Sequence, residues 1–472
     1  MTDSYPDKFR EECGLIAVWN VPEAANLAYL GLYAQQHRGQ EGAGVVSYDQ
    51  EKKLFSNHKG LGLVNDAFNN FDFSVLPGDR AIGHVRYTTA GSSTIANVQP
   101  FFSEVATGEV ALAHNGNLVN ASQLKKELIS DGSIFRTTSD TEVILHLIAQ
   151  GEPNADRAEI IFDAISKIRG AYSLNILFDD ALYLVRDPAG FRPLAIGKLG
   201  DGYVAASETC AFDLIGAEYV RDVEPGEVVK ITADNQIKSY FPFGVTKASP
   251  CIFEYIYFAR PDSSVFAKSV YPIRKQLGAE LAKESPVSAD LVIPVPDSGV
   301  AAAMGYAAEA KLPFEFGLIR NHYVGRTFIE PTQSIRDFGV RIKLNPNKEI
   351  LKGKRIVVVD DSIVRGTTSR KLIQMLKAAG AAEIHLRISA PPTTDPCFYG
   401  IDTPSKDKLL AANNSLAEIK EFLKVDSIAY LSIDGLYRAV GSDQGTYCDA
   451  CFTGSYPVSI PGKTEAAQGE LF

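Results

Sequence analysis

Residues 357–369 read VVVDDSIVRGTTS, and their types and order suit the chemistry of a phosphorylated sugar. An apolar run ends in two adjacent carboxylates, Asp360 and Asp361. Arg365, Gly366, Thr367 and Thr368 follow, before a stretch with helical periodicity (Leu372, Met375, Leu376) that stops at Gly380. A strand, a small-residue loop and a helix start are the elements this pattern demands. The first N–H groups of a helix have no partner inside it, so they cradle a phosphate, and threonine hydroxyls add donors. Carboxylates at a strand end accept hydrogen bonds from a sugar diol or face a divalent metal that bridges phosphates. Phosphate donors beside a diol acceptor describe a pocket for a phosphorylated ribose. Far upstream, Cys13-Gly14 opens the first apolar run; a cysteine alone in such a place reads as a small buried hydrophobe.

The elements that must position these groups divide the chain. Its 472 residues exceed one compact core and suggest about two or three domains. A hydrophobic fraction of 45% and a charged fraction of 22% are those of a globular protein. A net charge of −10 and a pI near 5.4 argue against nucleic acid as a partner. An anionic substrate must then be held by local donors and metal. No apolar stretch reaches membrane-spanning length, and the charged MTDSYPDKFREE has no secretory core. Six cysteines in a chain this long are no disulfide framework, which points to the cytoplasm, with thiols available for catalysis or metal.

To about residue 245, short alternating or apolar runs separated by Gly, Asn and Asp (CGLIAVW, EGAGVVSY, AIGHVRYTT, EVALAHNGNL, AYSLNILF, ALYLVRD) predict a largely antiparallel sheet system. Helices are expected over 24–37, 121–131, 141–149 and 158–168. From about Ile252 single apolar strands alternate with longer helices (269–284, 300–311), the signature of a parallel sheet covered by helices. Ligands of such sheets lie at the carboxyl ends of the strands, where Asp297-Ser298-Gly299 and Asp360-Asp361 fall. From about residue 455 the chain turns polar, as tails do.

The set YAQQHRGQEGAG, HVRYTTAG, HNGNL and TTSDTE, in that order behind Cys13, resembles the class II glutamine amidotransferases, which are N-terminal-nucleophile hydrolases. The resemblance implies an αββα sandwich over 13–245 and a propeptide, 1–12, whose autocatalytic removal makes Cys13 the first residue. A free α-amine titrates near pH 7.7–8.0, so it can take the thiol proton and no catalytic histidine is needed. By the same resemblance Cys13 attacks the glutamine amide, and Asn115 and the Gly116 N–H hold the oxyanion. Arg86 clamps the α-carboxylate, and Asp140 holds the α-ammonium.

VVVDDSIVRGTTS resembles the signature by which phosphoribosyltransferases bind phosphoribosyl pyrophosphate (PRPP), and implies a type I phosphoribosyltransferase domain over 246–455 with a tail at 456–472. IPVPDSG (293–299) resembles the family's pyrophosphate loop, with Ser298, Asp360 and Asp361 as the Mg²⁺ side and Arg365, Gly366, Thr367 and Thr368 as the phosphate side. IRNHYVGRTFIEPTQ (319–333) resembles the loop that closes over PRPP in glutamine PRPP amidotransferases. Arg320 and Lys343 lie where that family has basic phosphate contacts; it often has lysine at the first. The two halves together imply that ammonia freed at Cys13 travels an internal channel, attacks the ribose anomeric carbon and displaces pyrophosphate. The product is 5-phosphoribosylamine, the first committed step of purine synthesis.

A glucosamine-forming amidotransferase would not supply the PRPP string. A non-catalytic PRPP-sensing regulator or an iron–sulfur redox sensor would have no use for Cys13, Arg86, Asn115 and Asp140. Cys251, Cys397, Cys448 and Cys451 suit zinc or an iron–sulfur cluster by spacing, and Cys448-x-x-Cys451 alone suits a redox pair. The family resemblance implies a [4Fe-4S] cluster, feedback inhibition by purine nucleotides and a homotetramer or dimer, of which the homotetramer is expected. Cys210 is read as core packing.

Overall fold

The structure is a computed structural model that describes residues 13–87, 94–321 and 344–461. Its first half contains β1 (Gly14–Trp19), β2 (Gly42–Asp49), β3 (Leu54–Leu61), β4 (Arg80–Arg86), β5 (Phe101–Val105), β6 (Gly108–Leu118) and β7 (Gly170–Leu177). There follow β8 (Ala181–Arg186), β9 (Ala195–Leu199), β10 (Gly202–Ala206), β11 (Glu218–Asp222), β12 (Val228–Thr232) and β13 (Ile237–Tyr240). The helices that matter here are α1 (Ala24–Ala34), α2 (Ala121–Ser130), α3 (Thr141–Ala149), α4 (Arg157–Lys167) and α5 (Cys210–Ile215).

The strands form two antiparallel sheets, ordered β11-β9-β10-β1-β4-β2-β3 and β13-β12-β8-β7-β6-β5. Leu15, Ala17 and Trp19 of β1 pack with Ala111, Ala113, Leu177 and Leu184 between the sheets. The alternate residues Ile16 and Val18 meet Ala24, Ala28 and Leu32 of α1 and Phe212 of α5. On the far side Val110, Leu112 and Leu174 pack under α2, α3 and α4. Helix, sheet, sheet, helix is the expected sandwich. Because both faces of β1 are covered, its sequence is apolar throughout rather than alternating.

Helix α1 ends at Ala34, short of the expected 37. The Gln35 amide turns back and donates to the carbonyls of Leu15 (2.9 Å) and Gly31 (3.2 Å), which ends the helix and frees His37 and Arg38 for other contacts.

In the second half β14 (Leu291–Pro294), β15 (Arg355–Asp360), β16 (Glu383–Ile388) and β17 (Ser427–Tyr430) lie side by side in that order, all parallel. Val292, Val357 and Val359 face α6 (Val270–Glu284) and α7 (Val300–Ala310). Ile293, Ile356 and Val358 face α8 (Thr367–Ala378) and α9 (Leu416–Leu423). A short ribbon, Leu318–Arg320 paired antiparallel with Leu344–Pro346, brackets the stretch expected to cover the substrate. Residues 322–333 of that stretch, with Lys343, lie outside the described residues, as do 1–12. No helix among the described residues is long and apolar enough to cross a membrane.

Candidate functional site

Two separate constellations stand out. In the first, pairing of β1 with β4 (Leu15↔His84, Gly14↔Val85) brings Arg86 and Tyr87 alongside Cys13. Cys13 is buried and its thiol donates to the Tyr87 carbonyl at 3.6 Å. Arg86, also buried, closes β4 opposite Gly42. Ser207, just after β10, ties β1 to the second sheet. Its hydroxyl accepts from Leu15 N–H at 3.0 Å and from the Asn115 amide at 3.5 Å. That long bond is the weak restraint on Asn115; its side-chain oxygen is buried without a protein partner. An amide held so loosely is available to a ligand.

Gly116 has φ +147°, and a Cβ there would stand 2.0 Å from the Ala171 carbonyl oxygen. Only glycine fits, and its N–H is fixed by the strand rather than by a flexible loop. Asp140 directly precedes α3, accepts from Leu118 N–H at 2.9 Å and stands 3.8 Å from His114. It also borders a cavity of about 310 Å³ with Asn117, Ser139, Lys125 and Phe398. Residues 88–93, which include the TTAG that ends the HVRYTTAG motif, lie outside the described residues.

Behind Asn115 and Gly116 runs a buried polar layer that the sequence reading left without a role. His114 N–H donates to the Gln99 side chain (2.7 Å), whose amide donates to the Thr141 hydroxyl (3.0 Å). His114 Nδ1 lies 3.1 Å from that same hydroxyl, and His84 Nε2 is 3.1 Å from the His114 carbonyl. Burial pushes His84 down to about 3, so its ring is neutral and holds the strand by hydrogen bonding alone. The signal was present as histidines inside apolar strands (AIGHVR, ALAHNG), but their partners are far away in sequence.

Arg38, within the quoted HRGQ string, was also left without a role. Its Nε donates to the Cys13 carbonyl at 3.3 Å, and its other nitrogens meet Glu208 and Glu254.

The second constellation sits at the carboxyl ends of β14 and β15. Parallel pairing (Pro294↔Val359) sets the 295–299 and 360–366 loops side by side, and Val295 N–H donates to the Val359 carbonyl at 2.8 Å. Asp360 and Asp361 are both buried. The Ser298 and Ser362 hydroxyls donate to the two oxygens of Asp361, each at 2.5 Å, and Asp361 N–H donates to Asp360 at 2.9 Å. Ser298, Asp360 and Asp361 are therefore brought together as expected.

Gly366 (φ +77°) is the residue from which α8 springs, and Thr367 and Thr368 form its first turn. The positive φ is a conformation that glycine adopts without steric cost, which is the reason for glycine here. Arg365 is half-buried beside it. Arg320 instead pairs with Asp297 on the neighbouring loop, both half-exposed. Two carboxylates with a hydroxyl suit magnesium, which takes few protein ligands and shares substrate phosphates.

The four cysteines of the second half come from three segments. The backbones of Cys251 and Cys448 pair as an isolated parallel β-bridge, and Cys448 N–H donates to the Pro250 carbonyl at 2.8 Å. The Cys451 carbonyl accepts from Thr394 and Asp395, on the segment leading to Cys397, and Tyr399 N–H donates to the Cys397 sulfur at 3.3 Å. Burial pushes the thiols of Cys448 and Cys451 well up, and Cys251 and Cys397 raise them further by their proximity. Among the described residues, no group of three or more His, Cys, Asp or Glu side chains is arranged as a metal site. Cys210 packs with α1 and α5, as expected of a core thiol.

Comparison with known proteins bears on both constellations. Residues 84–213 match the glutamine amidotransferase domain family, and residues 271–395 match the phosphoribosyl transferase domain family. The chain is 53% identical to amidophosphoribosyltransferase 1, chloroplastic, of Arabidopsis thaliana, over 99% of this chain and 82% of that protein. It is 49% identical to the amidophosphoribosyltransferase of Bacillus subtilis, over 95% of each. The solved glutamine PRPP amidotransferase of B. subtilis, complexed with ADP and GMP, superposes with a TM-score of 0.90 at 48% identity, covering 96% of this chain and 98% of that one. A second solved structure, described as the allosteric regulatory enzyme of purine biosynthesis, gives a TM-score of 0.91 at the same identity, over 96% and 97%. Identity of about half over nearly the whole chain, together with the same fold, shows that the chain belongs to the amidophosphoribosyltransferase family.

Proposed function

We propose that the chain makes 5-phosphoribosylamine from glutamine and PRPP, releasing glutamate and pyrophosphate, at the first committed step of purine synthesis. The observation that carries this reading is the presence, in one chain, of Cys13 at the head of a strand that Ser207 ties to Asn115, and of Asp360 and Asp361 at the strand end that leads into the Gly366 turn. Once residues 1–12 are removed, the α-amine of Cys13 takes the thiol proton and the sulfur attacks the glutamine amide carbon. Asn115 and the Gly116 N–H stabilise the oxyanion, while Arg86 and Asp140 hold the two ends of the amino acid. Ammonia leaves as the amine returns its proton, and water cleaves the thioester to glutamate.

The ammonia then passes inside the protein to the second site and attacks the ribose anomeric carbon as the bond to pyrophosphate breaks. Asp360 and Asp361 accept from the ribose hydroxyls, and Arg365 with the first turn of α8 binds phosphate. Arg320 and Lys343 belong to the same proposal as phosphate contacts, with Arg320 first leaving Asp297. Ser298, Asp360 and Asp361 would hold magnesium, which when bound would neutralise charge on the departing pyrophosphate.

With glutamine, PRPP and magnesium, purified protein is expected to release glutamate and pyrophosphate in equal amounts. PRPP binding without turnover, in protein whose mass shows that Cys13 is the first residue, would overturn the reading.

The domain limits (13–245, 246–455 and a tail at 456–472) and a cytoplasmic location belong to this proposal. So do a homotetramer and inhibition by purine nucleotides; the ADP and GMP carried by the B. subtilis structure support the last.

The proposal also assigns Cys251, Cys397, Cys448 and Cys451 to a [4Fe-4S] cluster, because four thiols gathered from three segments are its usual donor set. It would pin the C-terminal segment to the body. Protein purified without oxygen is expected to carry about four iron and four sulfide per chain, lost in Cys451→Ser. Bound zinc, or four metal-free thiols in such protein, would refute the assignment.

A further inference from the structure

Arg38, Arg192, Glu208 and Glu254 are buried together with essentially no solvent exposure, two cations against two anions. Arg38 lies between α1 and β2, Arg192 follows β8 and Glu208 follows β10, so all three come from the sandwich. Glu254 does not. It opens a wide π-helical turn, Glu254–Phe258, whose Phe253, Tyr255, Ile256 and Phe258 pack into the core of the parallel-sheet half with Val357 and Val359. Arg274 of α6 anchors that turn from its own side, donating to the carbonyls of Tyr255 (2.8 Å) and Ala259 (2.7 Å). One acidic side chain therefore crosses from the phosphoribosyl half into the amidotransferase half.

Its carboxylate takes the end of the Arg38 fork, at 2.7 Å and 3.0 Å, and also accepts from Arg192 at 3.3 Å. A bidentate grip fixes the plane of a guanidinium as well as its position. The one nitrogen left on the other edge, Nε, points at the carbonyl of Cys13, 3.3 Å away. Glu208 holds the same fork at 2.5 Å, and is itself held by Ser263, the Arg260 N–H and His37. The backbone of the nucleophile is thus gripped by a cation whose orientation depends on both halves of the chain.

We propose that Glu254 is a positioning residue for glutamine hydrolysis. It orients Arg38, which fixes the Cys13 carbonyl and with it the thiol and the α-amine. The inference rests on the glutaminase reading of Cys13 given above. It also says that the amidotransferase sandwich does not complete its own active site. Displacing a reacting group by about 1 Å can cost on the order of 10²-fold in rate, so loss of this grip should be felt in turnover.

Glu254→Gln keeps the size and one acceptor but loses the charge and the two-point grip. Glutamate release is expected to fall about tenfold or more in kcat with the glutamine KM within about twofold. PRPP consumption with added ammonia, which bypasses Cys13, is expected to stay within about twofold of the unaltered enzyme. Arg38→Lys, which keeps the charge and loses the fork, should show the same split. If Glu254→Gln does not fold, Arg38→Lys decides alone. Wild-type glutaminase kcat in either variant would overturn the proposal. So would a parallel loss of glutamine- and ammonia-dependent rates, which a merely structural joint would produce. Absence of glutamate release from the unaltered protein would instead strike the glutaminase reading and is read separately.

Discussion

Cys13→Ala is expected to lower glutamine-dependent synthesis by on the order of 10⁴-fold or more, while leaving ammonia-dependent synthesis within about twofold. The first number follows from chemistry. Among the described residues Cys13 is the one thiol at the head of β1, and water attacking an amide directly faces a barrier that covalent catalysis divides in two. A loss of that size is about 5.5 kcal/mol of transition-state stabilisation. The second number follows from geometry. The Cys13 side chain touches the Tyr87 carbonyl within the sandwich, far along the chain from Asp360 and Asp361, and removing one sulfur leaves β1 paired on both sides. Glutamate and pyrophosphate release, each measured with glutamine and then with an ammonium salt, make the comparison. Intact mass must accompany it, since a chain retaining residues 1–12 would lack the amine base. Equal loss of both activities would make Cys13 a packing residue.

What was legible in the sequence was local. The strands that build both sheet systems announced themselves as apolar runs between turn residues because they are buried on both faces; all of β1 and β7 is buried. The edge strands did not. IKSY of β13 and EYVRD of β11 are mostly exposed and carry charge, so their sequences look like loops. The sites divide in the same way. Asp360-Asp361 and Gly366-Thr367-Thr368 could be read because the chemistry is packed into consecutive residues at a strand end.

Partners that meet across the fold could not be read. Ser207, which braces Asn115 against β1, sits in an unremarkable SET string, and Arg38 meets Glu254 only because the turn after the sandwich folds back. The early end of α1 belongs here too. The HRGQ string looks like a continuing helix, yet tertiary contacts of Gln35 and Arg38 outweigh weak helix propensity. Sequence named the candidate reacting groups; the side chains that contact them became visible only in three dimensions.

Asp361→Asn should reduce pyrophosphate release by about 10²–10³-fold with glutamine or ammonia as nitrogen source. The substitution isolates charge. Asparagine has the same shape, its oxygen can accept from one serine, and its amide can donate to the other, because a hydroxyl both gives and takes. Asp361 is buried, and a neutral amide is cheaper to bury than a carboxylate, so the unfolding temperature should not drop by more than a few degrees. What disappears is the negative charge that the Arg274 guanidinium feels from behind and that a metal or a ribose hydroxyl would feel from the front. Neither nitrogen source can bypass that defect, since both converge on the same anomeric carbon; this is the opposite pattern to Cys13→Ala. Alkylation of Cys13 by a glutamine-like electrophile should persist in the variant, which separates a failed phosphoribosyl site from a damaged protein. Retention of near-normal pyrophosphate release would mean that Asp360 alone carries the charge at this strand end. The hydroxyls of Ser298 and Ser362 would then be holding a spacer and not a working group.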